Sequence, residues 1–313
     1  MTDRLEVTKT YKLFIGGAFP RSESGRSLPI TDCAGRILAH IAHASRKDLR
    51  DAVESARKAQ PGWAAATAYN RGQILYRMAE MLEGKKSEFV QLLKASPTPK
   101  RLAGAKSRTK PAAIALSPER EIVAAIDRLV CFGGWADKYA QVLGCNNPVA
   151  GPFYNFTVPE PTGVIGIITP NDAPLLGLIS LIAPPLCAGN TIVALASESA
   201  PLPAAVFAEV LATSDVPPGV VNLLTGQRDE LLPHFASHRD IDAISAASVT
   251  SEQAKLLREG TADNLKRVSI LGSNTSSKLP EARIDWLDDD ACHSPWRIEP
   301  FVEMKTMWHP SGA

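Results

Sequence analysis

Polar side chains that directly follow an apolar run are the first place to look for chemistry, because open α/β sheets hold ligands at the carboxyl ends of their buried strands. Three such ends occur here: Thr169-Pro170-Asn171, Ala196-Ser197-Glu198 and Thr225-Gly226. The Glu198 carboxylate could accept hydrogen bonds from a ribose diol, as acids do in dinucleotide-binding folds. Alternatively, Ser197 and Glu198 cap and charge the start of the next helix, which is the plainer role. A thiol stands beside an imidazole once, in Asp288-Asp289-Asp290-Ala291-Cys292-His293. Three aspartates disfavour a thiolate at Cys292, and adjacent residues rarely present both groups to one substrate, so it is a poor candidate nucleophile. No G-x-G-x-x-G follows an apolar run and no G-x-x-x-x-G-K-[ST] exists, which leaves no standard glycine loop for a phosphate.

The elements that position these ends read clearly from Thr162 onward. Strands at 163–169, 191–195, 220–224 and 241–244 alternate with helices at 175–186, 204–211 and 230–236. Continuous apolar strands separated by helices predict a parallel sheet covered on both faces. Upstream, Tyr11 to Ile15, Gly16-Gly17 and Ala18-Phe19 predict a strand, a glycine turn and a return strand, followed by a strand at 37–41. Ser45 with Asp48 predicts a capped helix that Pro61-Gly62 ends. A second helix begins near Asn70, and a third at Ser117-Pro118, a cap followed by a proline at the first helical position.

Between the last two lies a basic segment, 96–117, with Lys100, Arg101, Lys106, Arg108 and Lys110 and no acid. It has no aromatic residue for base stacking and reads as a solvated linker rather than a nucleic-acid contact.

Composition sets the outer limits. The chain has 313 residues with 34 Lys+Arg against 33 Asp+Glu, a net charge of +1, which excludes a strongly basic nucleic-acid binder. The five cysteines (Cys33, Cys131, Cys145, Cys187, Cys292) form no Cys-x-x-Cys pair, so neither a disulfide framework nor a metal site is expected. The start carries acids and no apolar run, unlike a secretory signal. Ala173 to Ser197 is free of charge but is interrupted by Pro184-Pro185 and Gly189-Asn190, and fits a buried helix and strand better than a membrane span. A soluble, cytoplasmic protein is expected.

Several short motifs recur in a familiar order. Phe14-Ile15-Gly16-Gly17, Pro61-Gly62-Trp63, Gly134-Trp135-Ala136-Asp137-Lys138, Glu160-Pro161-Thr162-Gly163-Val164-Ile165-Gly166, Ala188-Gly189-Asn190-Thr191 and Pro217-Pro218-Gly219-Val220-Val221-Asn222 follow one another with the spacing of the aldehyde dehydrogenase superfamily. Glu303 to Trp308 resembles that family's closing strand. The resemblance spans nearly the whole chain apart from the basic segment. It implies a Rossmann-like NAD(P)-binding-type domain over 10–138 and 160–273, and bridging, oligomerising strands over 139–159 and 300–311. Family members oxidise aldehydes to acids through a cysteine thiohemiacetal.

Position by position, the resemblance implies a damaged site. The family's Pro-Trp-Asn-Phe-Pro aligns with Pro170-Asn171-Asp172-Ala173-Pro174, placing Asp172 where an asparagine donates to the oxyanion. A carboxylate cannot donate, and loss of one such donor costs roughly a hundredfold in rate. The family's Lys-Pro-Ser-Glu reads Leu195-Ala196-Ser197-Glu198, keeping the glutamate and losing the lysine. Its glycine-rich turn falls on Ala246-Ala247-Ser248-Val249, and no acid replaces the general base within Val268 to Ser273. Where the family has a catalytic domain, only a short connection, 274–299, precedes the closing strand, too little chain for a domain.

The positions left to meet NAD or NADP are Ile168, Thr169, Pro170, Ser197, Glu198 and Gly226, with binding weak or absent. The chain looks most like the second, catalytically empty repeat of the two-repeat (family sixteen) aldehyde dehydrogenases. Expected partners are a second copy of itself or a full-length aldehyde dehydrogenase. The competing expectation is an NAD(P)-dependent aldehyde oxidoreductase acting with a partner subunit that supplies the catalytic domain.

Overall fold

The computed structural model describes residues 7–32, 34–95, 116–272 and 284–311. The chain enters through a small sheet of β1 (Thr10–Tyr11), β2 (Ser27–Thr31) and β3 (Ile37–Ala42), in the order β1-β3-β2. The hairpin expected over residues 11–19 shrinks to single bridges, Ile15 to Ala18 and Phe14 to Leu223. The Phe14 backbone is committed elsewhere, exchanging hydrogen bonds of 3.0 and 2.8 Å with Leu223.

Helix α1 (Arg46–Ala65) starts at the expected cap. Ser45 Oγ accepts from the Asp48 amide at 3.3 Å, and Asp48 Oδ2 accepts from the Ser45 amide at 2.7 Å. Contrary to expectation, Pro61-Gly62 does not end it. The helix runs through Pro61, and buried Trp63 anchors the last turn by donating its indole N–H to the Leu186 carbonyl at 3.0 Å. Helices α2 (Ala68–Gly84), α3 (Lys86–Ala95) and α4 (Pro118–Trp135) follow, with Ser117 and Pro118 opening α4 as read. Helix α3 had no sequence forecast, and the basic segment lies outside the described residues except for Leu116 and Ser117. A short α5 (Tyr139–Leu143) leads to β4 (Cys145–Asn147) and β5 (Phe153–Pro161).

The alternating half then builds β6 (Val164–Ile168), α6 (Leu176–Cys187), β7 (Thr191–Leu195), α7 (Leu202–Ala212), β8 (Val221–Leu224), α8 (Arg228–Ser237), β9 (Ala243–Ala247), α9 (Ser251–Gly260) and β10 (Arg267–Leu271). The five strands form a parallel sheet in the order β10-β9-β6-β7-β8. Every residue of β6, β7, β8 and β9 is buried, as continuous apolar runs demand. Side chains alternate between two cores. Ile165, Ile167, Ile192 and Ala194 share one apolar cluster with residues of α2, α4, α6 and α7, while Val164, Ile168, Val193 and Leu195 share another with residues of α1, α8 and α9.

The fourth strand begins at Ala243 rather than Ile241. Asp242 acts as its anchor, since its carboxylate accepts from the Val164 amide and from Arg57 Nη2, each at 2.7 Å. Gly163 makes this approach feasible. It sits at φ +138°, where a Cβ would lie 2.1 Å from Asp242 Oδ2.

After β10 the chain reaches α10 (Asp289–Cys292) and β11 (Val302–Pro310). Strand β11 pairs antiparallel with β5 from Val302–Pro161 to Pro310–Phe153, giving a second sheet in the order β11-β5-β4. The two expected bridging strands therefore pair with each other within the chain. Among the described residues, the outer edge of β11 has no strand partner.

A closed crevice at the strand ends, the candidate functional site

The sheet order sets the position of the candidate site. From β6 the chain moves through β7 and β8 to one side, then crosses to β9 and β10 on the other. The β6/β9 boundary is thus the topological switch point, where ligands lie outside the carboxyl ends of the strands. Its two lips are the loop after β6, beginning at Thr169, and the turn after β9, at Ser248.

Asp172, on the first lip, is half-buried and reaches the exposed Ser248 on the second. Its Oδ1 accepts the Ser248 hydroxyl at 3.0 Å, tying the lips together. Ser248 has φ +51°, a left-handed conformation ordinarily left to glycine. Behind Asp172, Glu121 of α4 is buried and its Oε1 accepts from the Leu175 and Leu176 amides at 2.9 and 3.2 Å. It supplies the N-terminal cap that α6 lacks from its own sequence. Burial pushes its carboxyl up to about 7, opposed by the two amides and reinforced by Asp172.

The remaining candidate residues are mostly built into the protein. Ile168 and Thr169 are wholly buried. Pro170 is buried against Gly177, where a Cβ would come within 2.2 Å of its ring. Gly226 is buried between His43 and Leu231. Ser197 is buried; its hydroxyl donates to Asn171 Oδ1 at 2.9 Å and accepts from the Ala200 amide at 3.2 Å. Asn171 Oδ1 also accepts from the Glu198 amide at 3.1 Å. Helix α7 begins later, at Leu202, so Ser197 and Glu198 close a loop instead of capping that helix. Glu198 remains exposed at the strand end.

The residue that sequence reasoning missed is Arg228, the first of α8. Its guanidinium donates to the Thr169 carbonyl and, at 3.4 Å, to the Ser248 carbonyl, bridging both lips while remaining 3% exposed. Burial pulls its pKa below the ordinary value, against the opposing charges of Glu198, Asp172 and Asp229. Thr169 Oγ1 and Arg228 Nε have no hydrogen-bond partner, yet both are shut off from solvent, so neither lines an open cradle. A dinucleotide needs an accessible crevice and backbone amides for its pyrophosphate. The residues present do not fit that group.

Cys292 lies elsewhere. It is buried, its thiol 3.7 Å from the Asp285 carbonyl. Its neighbour His293 faces Asp289 at 3.6 Å, not the thiol, and offers its carbonyl to the indole N–H of Trp135 at 3.0 Å. Cys131, beside the same carbonyl, is ten positions beyond Glu121 on α4, about 15 Å along the axis at 1.5 Å per residue. The segment 284–301 packs Trp286, Ile298 and Phe301 into the core, and Arg128 of α4 donates to the Trp286 carbonyl at 3.1 Å. Among the described residues no group of three or more His, Cys, Asp or Glu side chains is placed to hold a metal, and no helix is long and apolar enough to cross a membrane.

A parallel sheet with helices on both faces, a switch-point crevice and an antiparallel bridging sheet define a Rossmann-type aldehyde dehydrogenase architecture. The family model for the aldehyde dehydrogenase family matches residues 20–278, and the chain belongs to that family. It is 34% identical to retinal dehydrogenase 2 of Mus musculus over 297 residues, covering 93% of this chain and 54% of the relative. With cytosolic aldehyde dehydrogenase 1 of Elephantulus edwardii it shares 33% identity, covering 83% and 49%. Among solved structures, the NAD+ complex of an aldehyde dehydrogenase from Bacillus cereus superposes with a TM-score of 0.74 at 27% identity, covering 84% of this chain and 50% of that one. HpcC from Thermus thermophilus gives 0.75 at 29%, covering 85% and 48%. The chain spans about half the length of the relatives it matches.

Proposed function

We propose that this chain is a catalytically empty aldehyde dehydrogenase module with a structural or regulatory role through association. The observation that carries the reading is the separation of Cys292 from the strand ends. The thiol is buried beside the far end of α4, on a segment whose apolar side chains join the main core. The acceptor-only side chain of Asp172 at the oxyanion position and the lack of an acid from Val268 to Gly272 support the same reading. The architecture, with β10 leading by a short connection to a closing strand, fits the second repeat of the two-repeat aldehyde dehydrogenases. Free cysteines and a relative named as cytosolic favour the cytoplasm as its compartment.

Association would use the free edge of β11, which presents Met304 and Trp308 four residues apart on one face, both exposed. The partner would be a second copy of this chain or a full-length aldehyde dehydrogenase. Size-exclusion chromatography with light scattering tests this. The wild type is expected to self-associate or to co-elute with a full-length family member, and the double variant Met304→Lys, Trp308→Lys to do neither. A wild type that stays monomeric and co-elutes with no family member would contradict it.

A further inference from the structure

We propose that Arg228 is the residue that shuts this fold's dinucleotide crevice, its side chain standing where a ligand would otherwise join the two lips of the switch point. The inference rests on reading the chain as catalytically empty but deepens it, since an empty module could still bind a nucleotide.

Geometry comes first. Arg228 opens α8 behind β8 and reaches past β7 to the carbonyl after β6 and the carbonyl after β9. These two carbonyls belong to the loops that must stay apart for a dinucleotide to lie between them. Above them, the Asp172–Ser248 hydrogen bond joins the same two loops a second time.

Electrostatics agree. Glu198, Asp172 and Asp229 are the charges that favour the buried guanidinium. An incoming pyrophosphate would meet these carboxylates, and any movement that freed the arginine to bind it would strand the buried Thr169 carbonyl. Ser248 adds a steric element, because its side chain occupies a left-handed position where glycine would leave the backbone open.

The crevice therefore holds its shape without a ligand. Reopening it takes removal of the bridge and of the side chain on the turn, not the addition of a binding residue.

The test is NAD+ titration by calorimetry on the full chain, comparing wild type with Arg228→Gly, Arg228→Gly/Ser248→Gly and Arg228→Gln. Wild type is expected to show no saturable binding into the millimolar range, and the double variant at least about a tenfold gain. Saturable micromolar binding by the wild type would overturn the proposal. So would folded variants, matched to wild type by circular dichroism, that bind no better than it does. If the glycine variants fail to fold, hydrogen exchange on Arg228→Lys decides, because a lysine cannot donate to both carbonyls in the same fork geometry. Faster exchange in both loops supports the bridge; unchanged protection in both contradicts it.

Discussion

The hydroxyl of Ser248 donates to the carboxylate of Asp172 at 3.0 Å, joining the turn after β9 to the loop after β6. The bond ties together the two loops that flank the β6/β9 boundary. Ser248 also bears the cost of φ +51°. Ser248→Ala should therefore lose the bond while keeping the strained backbone, destabilising by about 1 kcal/mol. Ser248→Gly should fall within about 0.5 kcal/mol of wild type, because relief of strain offsets the lost bond. Urea denaturation midpoints of the two variants distinguish the effects.

Glu121 gives the protein a pH dependence with a defined sign. Its folded-state value, about 7, lies above the usual value of 4.5, so the native state holds the proton more tightly than the unfolded chain. Its contribution to stability is fully present below the usual value and is lost as pH rises through about 7. Glu121→Gln keeps a carbonyl oxygen for the Leu175 and Leu176 amides and removes the buried charge. The variant should gain melting temperature over wild type near pH 8, and the gain should disappear near pH 5. Thermal denaturation at the two pH values checks both the sign and the window.

The segment before β11 is part of the core. Trp286 and Phe301 are 5% and 4% exposed and belong to the main apolar cluster. Trp286→Ala and Phe301→Ala should each cost about 3–5 kcal/mol, as buried aromatic truncations do. A loose tether would tolerate both changes with little loss, so equilibrium unfolding of the two variants decides between plug and tether.

Thiol labelling should follow burial. Cys145 is exposed, whereas Cys187 and Cys292 are buried. Burial also raises the Cys187 thiol well above its ordinary range. An alkylating reagent added to native protein should modify Cys145 first and spare Cys187 and Cys292 until denaturant is added. Peptide mass mapping reads the order; early modification of Cys292 would mean an accessible nucleophile.

The fold was legible because its signals were structural. Asn190 accepts from the Gly163 amide at 2.8 Å and donates to the Pro185 and Phe301 carbonyls, and Asn222 similarly binds Gly16, Ile192 and Gly219. Trp63 anchors the last turn of α1. These are the motif residues that carried the family resemblance, and they hold loops rather than substrate.

The site was less legible because its defining residues come from distant segments. Nothing in the local context of Arg228 says that it crosses to Thr169 and Ser248. Glu121 and Arg128 did carry a sequence signal. They fall in phase with Ala125 and Phe132 on the buried face of α4, where a charge needs a partner. The fate of Pro61 was missed for a tertiary reason, since burial of Trp63 outweighed the local helix-breaking tendency.

The most direct measurement is formation of reduced nicotinamide by the purified chain, incubated with NAD+ or NADP+ and a panel of aliphatic and aromatic aldehydes. The expected result is no aldehyde-dependent absorbance change above a protein-free control, with either cofactor. Steady, aldehyde-dependent reduction proportional to protein concentration, abolished by Cys292→Ala, would contradict a catalytically empty module.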